Sequence, residues 1–144
     1  MIYSFLQNGD SAVTVQFENK ISEDVNRRVT GLCNTIEAKG INGVIELVPT
    51  FASLTVFYDC TIISSKRLKK KITTLINDGE CSVKSKAIVW NIPVCYDDEF
   101  ALDMENVCNH TSLEKEEVIR LHTSKPYLIY MLGFLPGFAY LGGM

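Results

Sequence analysis

The sequence lacks the patterns that mark most nucleotide, metal and nucleic-acid sites. It contains no GxxxxGK[ST] phosphate-binding loop and no GxGxxG turn. Its five cysteines form no CxxC pair, and neither of its two histidines stands at a zinc-finger distance from them. The formal net charge of −3 gives none of the basic excess that nucleic-acid binding needs. We therefore expect no metal site and no nucleic-acid partner.

Signals for export and for a membrane anchor are also weak. No signal peptide is recognisable at the N-terminus, so reduced thiols in the cytoplasm are expected. Residues 126–144 carry no charge and are almost long enough for a spanning helix. Pro136 and the glycines of the last twelve residues argue against a helix there. We expect a cytoplasmic protein that does not enter a membrane.

The first part of the chain has the apolar spacing of a strand–strand–helix unit. Residues 3–6 and 12–17 predict a β-hairpin, because the second run alternates apolar and polar side chains. A helix follows, with Ser22 as its candidate N-cap and Gly40 at its end.

The same order of elements then recurs. Strands are predicted at residues 44–48 and 54–58, followed by a helix that Ser64 or Ser65 caps and that ends before Gly79. Apolar residues recur at helical spacing within this second helix.

The two units resemble each other at a fixed distance. Residues 12–17 lie 41 positions before residues 53–58, and both segments contain a Thr-Val pair. Helices with an apolar face pack on an apolar sheet face, so the units together predict a small two-layer α/β sandwich over residues 1–90. We assign the fold class α+β.

The charge changes sign along the chain. Residues 1–90 hold 11 Lys and Arg and 9 Asp and Glu, whereas residues 91–144 hold 3 and 8. A predicted strand at residues 87–94 ends at Pro93. Together these features place a candidate domain boundary near residues 90–93.

Two helices and a strand are predicted beyond this boundary. The first helix covers residues 100–108. A capping box formed by Thr111 and Glu114 starts the second, which runs to about His122. A strand at residues 127–132 leads into the last segment of the chain.

Two charged clusters can each be interpreted either as a solvated surface or as a functional site. The basic run at residues 66–71 fits the solvated face of a helix, and it also fits a surface for an acidic partner or phosphate. The acidic turn at residues 96–99 fits a solvated surface better than a metal site, because it lacks spaced ligands.

The final segment, residues 133–143, has an unusual composition. Four glycines and Pro136 interrupt large apolar side chains and a tyrosine. Glycine permits positive φ angles and proline fixes φ, so the segment predicts a loop of defined shape that displays aromatic residues. Both a buried hairpin between two strands and a functional loop agree with this composition.

His122 is the residue with catalytic character nearest this loop in the sequence. It is predicted at the end of a helix, where a positive imidazole is favoured. It can serve as a general base, as a hydrogen-bond donor to an anion, or as a structural histidine, since no triad partner is apparent.

Several stretches taken together resemble a known family. They are Tyr96-Asp97-Asp98-Glu99-Phe100-Ala101-Leu102-Asp103, Glu116-Glu117-Val118-Ile119-Arg120-Leu121-His122-Thr123, Tyr127, Gly133-Phe134-Leu135-Pro136-Gly137-Phe138-Ala139-Tyr140-Leu141-Gly142-Gly143, and near the N-terminus Gly9-Asp10-Ser11-Ala12, Val48-Pro49, Ser53-Leu54 and Tyr58-Asp59. The set resembles the B-type subunit of 5-oxoprolinase, a family also called allophanate hydrolase subunit 1 or the Kip-type inhibitor of a sporulation histidine kinase. The resemblance covers essentially the whole chain.

The resemblance implies a two-domain protein. The small α/β domain matches residues 1–90, and a cyclophilin-like β-barrel domain begins near Ile92. Family members continue well beyond the glycine-rich signature, whereas this sequence stops at Met144. Residues 91–144 are therefore expected to form only the incomplete beginning of the barrel domain.

The resemblance also implies an activity. Three subunits, of types A, B and C, together use ATP to open 5-oxo-L-proline to L-glutamate, and the B-type subunit is not expected to act alone. His122 becomes the candidate catalytic residue. The candidate substrate- or partner-binding residues are Tyr127, Gly133, Phe134, Pro136, Gly137, Phe138 and Tyr140.

Two other functions remain open within the same family. One is a regulatory module that inhibits a sensor histidine kinase and is sequestered by a protein similar to the C-type subunit. The other is a subunit related to allophanate hydrolase or urea carboxylase.

Overall fold

The computed structural model describes residues 3–79, 88–133 and 135–142. The chain divides into two compact units. The first comprises Met1–Ser85 together with Ile129–Gly142, and the second contains Lys86–Leu128. The predicted domains, residues 1–90 and 91–144, stay a prediction.

A four-stranded antiparallel sheet forms the centre of the first unit. Its strands are β1 (Ser4–Asn8), β2 (Ala12–Gln16), β3 (Val44–Pro49) and β4 (Ser53–Tyr58), in the order β1-β2-β4-β3. The central pair is β2 with β4, and Thr14 lies directly opposite Thr55. The hydroxyl oxygens of these two threonines are 2.7 Å apart, which joins the two hairpins at the middle of the sheet.

Two helices accompany this sheet, α1 (Glu23–Lys39) and α2 (Ser65–Asn77). The predicted caps of α1 are confirmed: Ser22 occupies the N-cap position and Gly40 ends the helix with a left-handed φ of 53°. At α2, the Ser64 side chain accepts a hydrogen bond from the main-chain nitrogen of Arg67, as an N-cap serine does.

The core lies between the helices and one face of the sheet. Alternating residues of β2 and β4 point to this face, since side chains alternate along a strand. They meet the apolar stripes of both helices. The fully buried members include Val13, Val15, Leu54, Val56 and Tyr58 of the sheet and Val29, Leu32, Ile36, Leu68 and Ile72 of the helices. The predicted α+β class and the two-layer sandwich are confirmed.

The second unit contains two short helices, α3 (Met104–Thr111) and α4 (Lys115–Thr123). The predicted capping box is wrong, because Thr111 is the last residue of α3 and its hydroxyl donates to the Val107 carbonyl at 2.7 Å. Ser112 then adopts a left-handed φ of 57°, and Glu114 occupies the N-cap position of α4. The helix α3 itself starts at Met104, four residues later than predicted.

The predicted strand at residues 87–94 is also not observed over its described part, residues 88–94. Ala87 lies outside the described residues. The apolar run has no neighbouring strand among the described residues to complete its hydrogen bonds, and its side chains are exposed, as Trp90 is to 73%. Apolar composition alone therefore gave a false strand.

The end of the chain forms a β-hairpin. Its strands are β5 (Leu128–Leu132) and β6 (Ala139–Gly142), which make a separate two-stranded sheet. The described ranges contain no closed barrel, and none of their helices is long and apolar enough to cross a membrane.

Candidate functional site

Three aromatic rings form a cluster in the second unit, the Tyr–His–Tyr cluster of Tyr96, His122 and Tyr127. His122 lies in the last turn of α4. The Tyr96 hydroxyl oxygen is hydrogen-bonded to Nδ1 of His122. All three residues are half-buried in a unit whose side chains are mostly exposed.

The two tyrosines contact the imidazole in different ways. The ring of Tyr96 stands edge-on to His122, with centroids 5.9 Å apart and an interplanar angle of 86°. Tyr127 lies at the same centroid distance, but its ring is tilted by only 31°. The Tyr127 hydroxyl donates to the Leu121 carbonyl at 3.4 Å. Tyr96 therefore bonds a ring nitrogen, whereas Tyr127 makes only a ring contact with His122 and bonds the main chain.

The acidic turn beside Tyr96 behaves as a surface feature. Asp98 forms an ion pair with Lys115 at 2.5 Å, and its side chain is 93% exposed. The hydrogen bond and the charge of Lys115 lower the pKa of the Asp98 carboxyl below its ordinary value. Among the described residues, no three His, Cys, Asp or Glu side chains are grouped so that they could hold a metal ion.

The glycine-rich segment closes the β5–β6 hairpin. The Gly133 nitrogen donates to the Phe138 carbonyl at 3.1 Å, and the Phe138 nitrogen donates to the Leu135 carbonyl at 2.9 Å. Gly137 has a φ of +82°, a conformation that side-chain-bearing residues rarely adopt. The hairpin interpretation is therefore correct in its connectivity, although the predicted burial is not observed, since Leu135 is 58% exposed.

Aromatic side chains are displayed on this hairpin. Phe138 and Tyr140 make an edge-on pair with ring centroids 5.2 Å apart, and they are 49% and 40% exposed. Gly142 lies against the ring of Tyr130, so close that a Cβ atom would overlap it. The glycine is thus required by the close approach of a ring rather than by its backbone angles.

A buried polar side chain of α1 holds the same hairpin. The Asn26 amide nitrogen Nδ2 donates to the main-chain carbonyl of Tyr130 at 2.8 Å. Asn26 is only 7% exposed. This contact spans 104 positions of sequence, so no local pattern could have predicted it.

The structure brings only part of the predicted site together. His122 and Tyr127 belong to the second unit, and Tyr96 joins them. Gly133, Pro136, Gly137, Phe138 and Tyr140 belong to the first unit, and Phe134 lies outside the described residues. Their predicted catalytic and binding roles stay predictions. Sequence reasoning missed Tyr96 as a partner of His122, because 26 residues separate them without any periodic relation.

The described residues contain no motif that would place ATP. No described helix begins with a lysine-bearing glycine loop of the kind that cradles phosphates. A depression of about 340 Å³ in the second unit is wide open, and its walls come largely from residues 100–104 with Val107 and Val118. It does not include the Tyr–His–Tyr cluster. No step that involves ATP is therefore assigned to the described residues.

The family model that describes the carboxyltransferase domain, subdomain C and D, matches residues 3–144. The chain belongs to this family. A curated relative from Bacillus subtilis (strain 168), named as the B subunit of 5-oxoprolinase, is 39% identical over 99% of this chain. The match spans 63% of that relative, so this chain accounts for less than two thirds of its length. The resemblance found in the sequence motifs is thereby confirmed.

Two solved structures are similar in fold and in sequence. A conserved uncharacterized protein, PH0987 from Pyrococcus horikoshii, is 39% identical with a TM-score of 0.51, over 98% of this chain and 64% of that one. The structure of TTHA0988 is 31% identical with a TM-score of 0.76, over 90% of this chain and 25% of that one. Both similarities extend across most of the present chain.

Proposed function

We propose that this chain serves as the B-type subunit of an ATP-dependent 5-oxoprolinase. In this role it acts with an A-type and a C-type subunit to hydrolyse 5-oxo-L-proline to L-glutamate. The observation that carries the proposal is the 39% identity, over 99% of the chain, to a protein named as the B subunit of 5-oxoprolinase. That name also describes the relative as one subunit of an assembly.

The chemistry of the reaction suits a contribution from His122. A lactam carbon is a poor electrophile because amide resonance delocalises the nitrogen lone pair. Its hydrolysis develops negative charge on the former carbonyl oxygen, and fixed hydrogen-bond donors that meet this charge are worth several kcal/mol in enzymes, roughly 3–4 kcal/mol each. The half-buried imidazole of His122 can supply one such donor through a ring N–H.

ATP is assigned to the complex rather than to the described part of this chain. The described residues lack a phosphate-binding loop. We propose that ATP is held by another member of the complex, and that the exposed side chains of the hairpin, Leu135, Phe138 and Tyr140, help that member to dock.

The proposal is tested by 5-oxoproline-dependent ATP hydrolysis in a mixture of the three subunits. We expect the reaction to require this protein, and His122→Ala to lower the turnover by about 100-fold or more, as removal of an oxyanion donor does. His110→Ala is the matched control, because His110 is the other histidine and is exposed at the end of α3. A rate that does not depend on this protein would reject the proposal.

The second candidate function is a regulatory binding module that inhibits a sensor histidine kinase. The exposed hairpin side chains favour it, since a displayed aromatic pair can anchor a protein partner. Autophosphorylation of a sensor kinase, measured with and without this protein, tests the alternative. Inhibition that is lost in Phe138→Ser, together with no effect on 5-oxoproline hydrolysis, would favour the regulator over the enzyme subunit.

A further inference from the structure

The hydrogen bond between Tyr96 and His122 restricts where the imidazole carries its proton. Nδ1 of His122 is engaged by the phenol oxygen, and this is the one hydrogen bond that the imidazole makes among the described residues. Nε2, on the far side of the ring, has no partner within the described ranges. The state of Nε2 therefore decides what His122 can do chemically.

Three proton arrangements agree with this contact. In the first, a neutral ring accepts the phenol proton at Nδ1 and carries its own proton on Nε2. In the second, a cationic ring carries a proton on both nitrogens. Only the third arrangement, a neutral ring that donates from Nδ1 to the phenol oxygen, leaves Nε2 without a proton.

The third arrangement is disfavoured by the remaining proton of Tyr96. The tyrosine hydroxyl is a donor as well as an acceptor, so its own proton needs an acceptor. A ring that donates from Nδ1, whether neutral or cationic, leaves the hydroxyl proton to another acceptor or to solvent, whereas a ring that accepts at Nδ1 uses this proton in the contact. No other described residue makes a hydrogen bond with the Tyr96 hydroxyl. The first arrangement, in which the hydroxyl proton is used in the contact itself, places the ring proton on Nε2.

We propose that Tyr96 is a positioning residue that fixes His122 as a hydrogen-bond donor through Nε2–H. His122 then binds an anionic oxygen and does not act as a general base. In the reaction proposed above, this anionic oxygen is the one that becomes negative when the lactam carbonyl is attacked. Only the identity of the bound oxygen rests on the proposed function. No proton leaves Nε2 in this role, so the ring is unchanged after each turnover.

The position of the proton can be observed directly by NMR of the protein. Long-range ¹H–¹⁵N spectra of the 144-residue chain at about pH 8, above the ordinary histidine pKa of about 6.5, distinguish protonated from bare ring nitrogens. The chain has two histidines, so His110→Gln assigns the signals. We expect His122 to be held in the Nε2–H form, and an Nδ1–H form would overturn the proposal.

Two conservative variants isolate the contribution of Tyr96. Tyr96→Phe keeps the ring contact and removes the hydroxyl, so His122 should change to a mixture of both neutral forms. Tyr127→Phe is the matched control, because the Tyr127 hydroxyl contacts the Leu121 carbonyl and not the imidazole. An unchanged His122 spectrum in Tyr96→Phe would show that Tyr96 does not position the ring.

Turnover of the three-subunit mixture distinguishes whether His122 acts as a hydrogen-bond donor or as a general base. His122→Gln retains an N–H donor at about the position of Nε2 and cannot serve as a base, whereas His122→Glu can accept a proton and has no donor when ionised. We expect Gln to retain at least tenfold more activity than Glu. The opposite order would overturn the donor role.

The two kinds of measurement fail independently. If hydrolysis of 5-oxoproline does not require this protein, the proposed function is rejected. The spectrum of His122 still decides whether Tyr96 fixes the proton on Nε2, since it is recorded without substrate and without partner proteins.

Discussion

The Asn26 side chain donates a 2.8 Å hydrogen bond to the carbonyl of Tyr130, and so a buried residue of the first helix binds a strand near the end of the chain. Asparagine is rarely buried without partners, because an unmet amide costs about 1–3 kcal/mol. The residue therefore ties β5 and the glycine-rich hairpin to the two-layer sandwich.

Replacement of Asn26 by Ala should loosen this hairpin selectively. The Tyr130 carbonyl would lose its donor, at a cost of about 1–3 kcal/mol. Hydrogen exchange should become faster in β5 and β6 while the four-stranded sheet stays protected. Thr30→Ala is the matched control, since it removes only the hydrogen bonds that the Thr30 hydroxyl donates to the Asn26 and Arg27 carbonyls within the same helix. If both variants accelerated hydrogen exchange in the hairpin equally, the Asn26 side chain would not be what holds β5 to the sandwich.

A second prediction concerns the close packing of Gly142. In Gly142→Ala the added methyl group would overlap the Tyr130 ring, so one of the two must move. Overpacking of this kind costs about 1–3 kcal/mol, and the variant should unfold at lower urea. In Gly133→Ala the nearest atom is the flexible end of Met131 at 3.3 Å, so that change should cost less. Recovery of stability in Gly142→Ala with Tyr130→Ala would identify the ring as the cause.

The turn after β4 should make stability depend on pH. The Thr61 hydroxyl and main-chain nitrogen donate to the Asp59 carboxylate at 2.6 and 2.8 Å, which lowers the pKa of Asp59. A lowered folded-state pKa stabilises the protein above the unfolded value and loses this effect as pH falls through the folded value. The wild type should therefore exceed Asp59→Asn in stability at about pH 6, which lies well above the ordinary carboxyl pKa near 4. This difference should shrink as the pH is lowered below that pKa.

A matched variant tests the cause of this pH dependence. Thr61→Val removes the hydroxyl donor and keeps the main-chain donor, so the acid-dependent difference should become smaller but not vanish. Urea unfolding at a series of pH values measures it. If the stability difference between the wild type and Asp59→Asn grew on acidification, the Asp59 carboxylate would not be the stabilising group.

The first turn of α2 carries charges of the unfavourable sign. It has no acidic residue, and Lys66 and Arg67 lie near the positive end of the helix dipole. Lys66→Glu should stabilise the protein by about 0.3–1 kcal/mol at low salt, and Lys66→Gln by a smaller amount. Thermal unfolding at two salt concentrations checks this, because salt should reduce the gain. Destabilisation by Lys66→Glu would indicate that the lysine has a partner in the native protein.

Local patterns predicted the sandwich and its helix ends well. The strands and helices up to residue 79 follow from alternation, helical spacing and the end signals at Ser22 and Gly40, all of which act over a few residues. The apolar residues of these strands and helices also pack against one another within the same unit. Periodicity therefore carried nearly all the information that this part of the fold needs.

The same rules failed where partners are distant or absent. The run at residues 88–94 has strand-like composition, yet it forms no strand without a neighbour. Thr111 bonds back to Val107 rather than capping the next helix, a choice that propensity cannot resolve. Likewise the contacts of His122 with Tyr96 and of Asn26 with Tyr130 join residues 26 and 104 positions apart, beyond any local signal.

The pairing of Thr14 with Thr55 relates the two halves of the sandwich. These residues hold equivalent places in segments 41 positions apart, and the strands that carry them are antiparallel neighbours. The strand order β1-β2-β4-β3 is therefore symmetric about this pair, with one hairpin on each side. The domain thus has the architecture of a homodimer whose two halves have been joined into one chain.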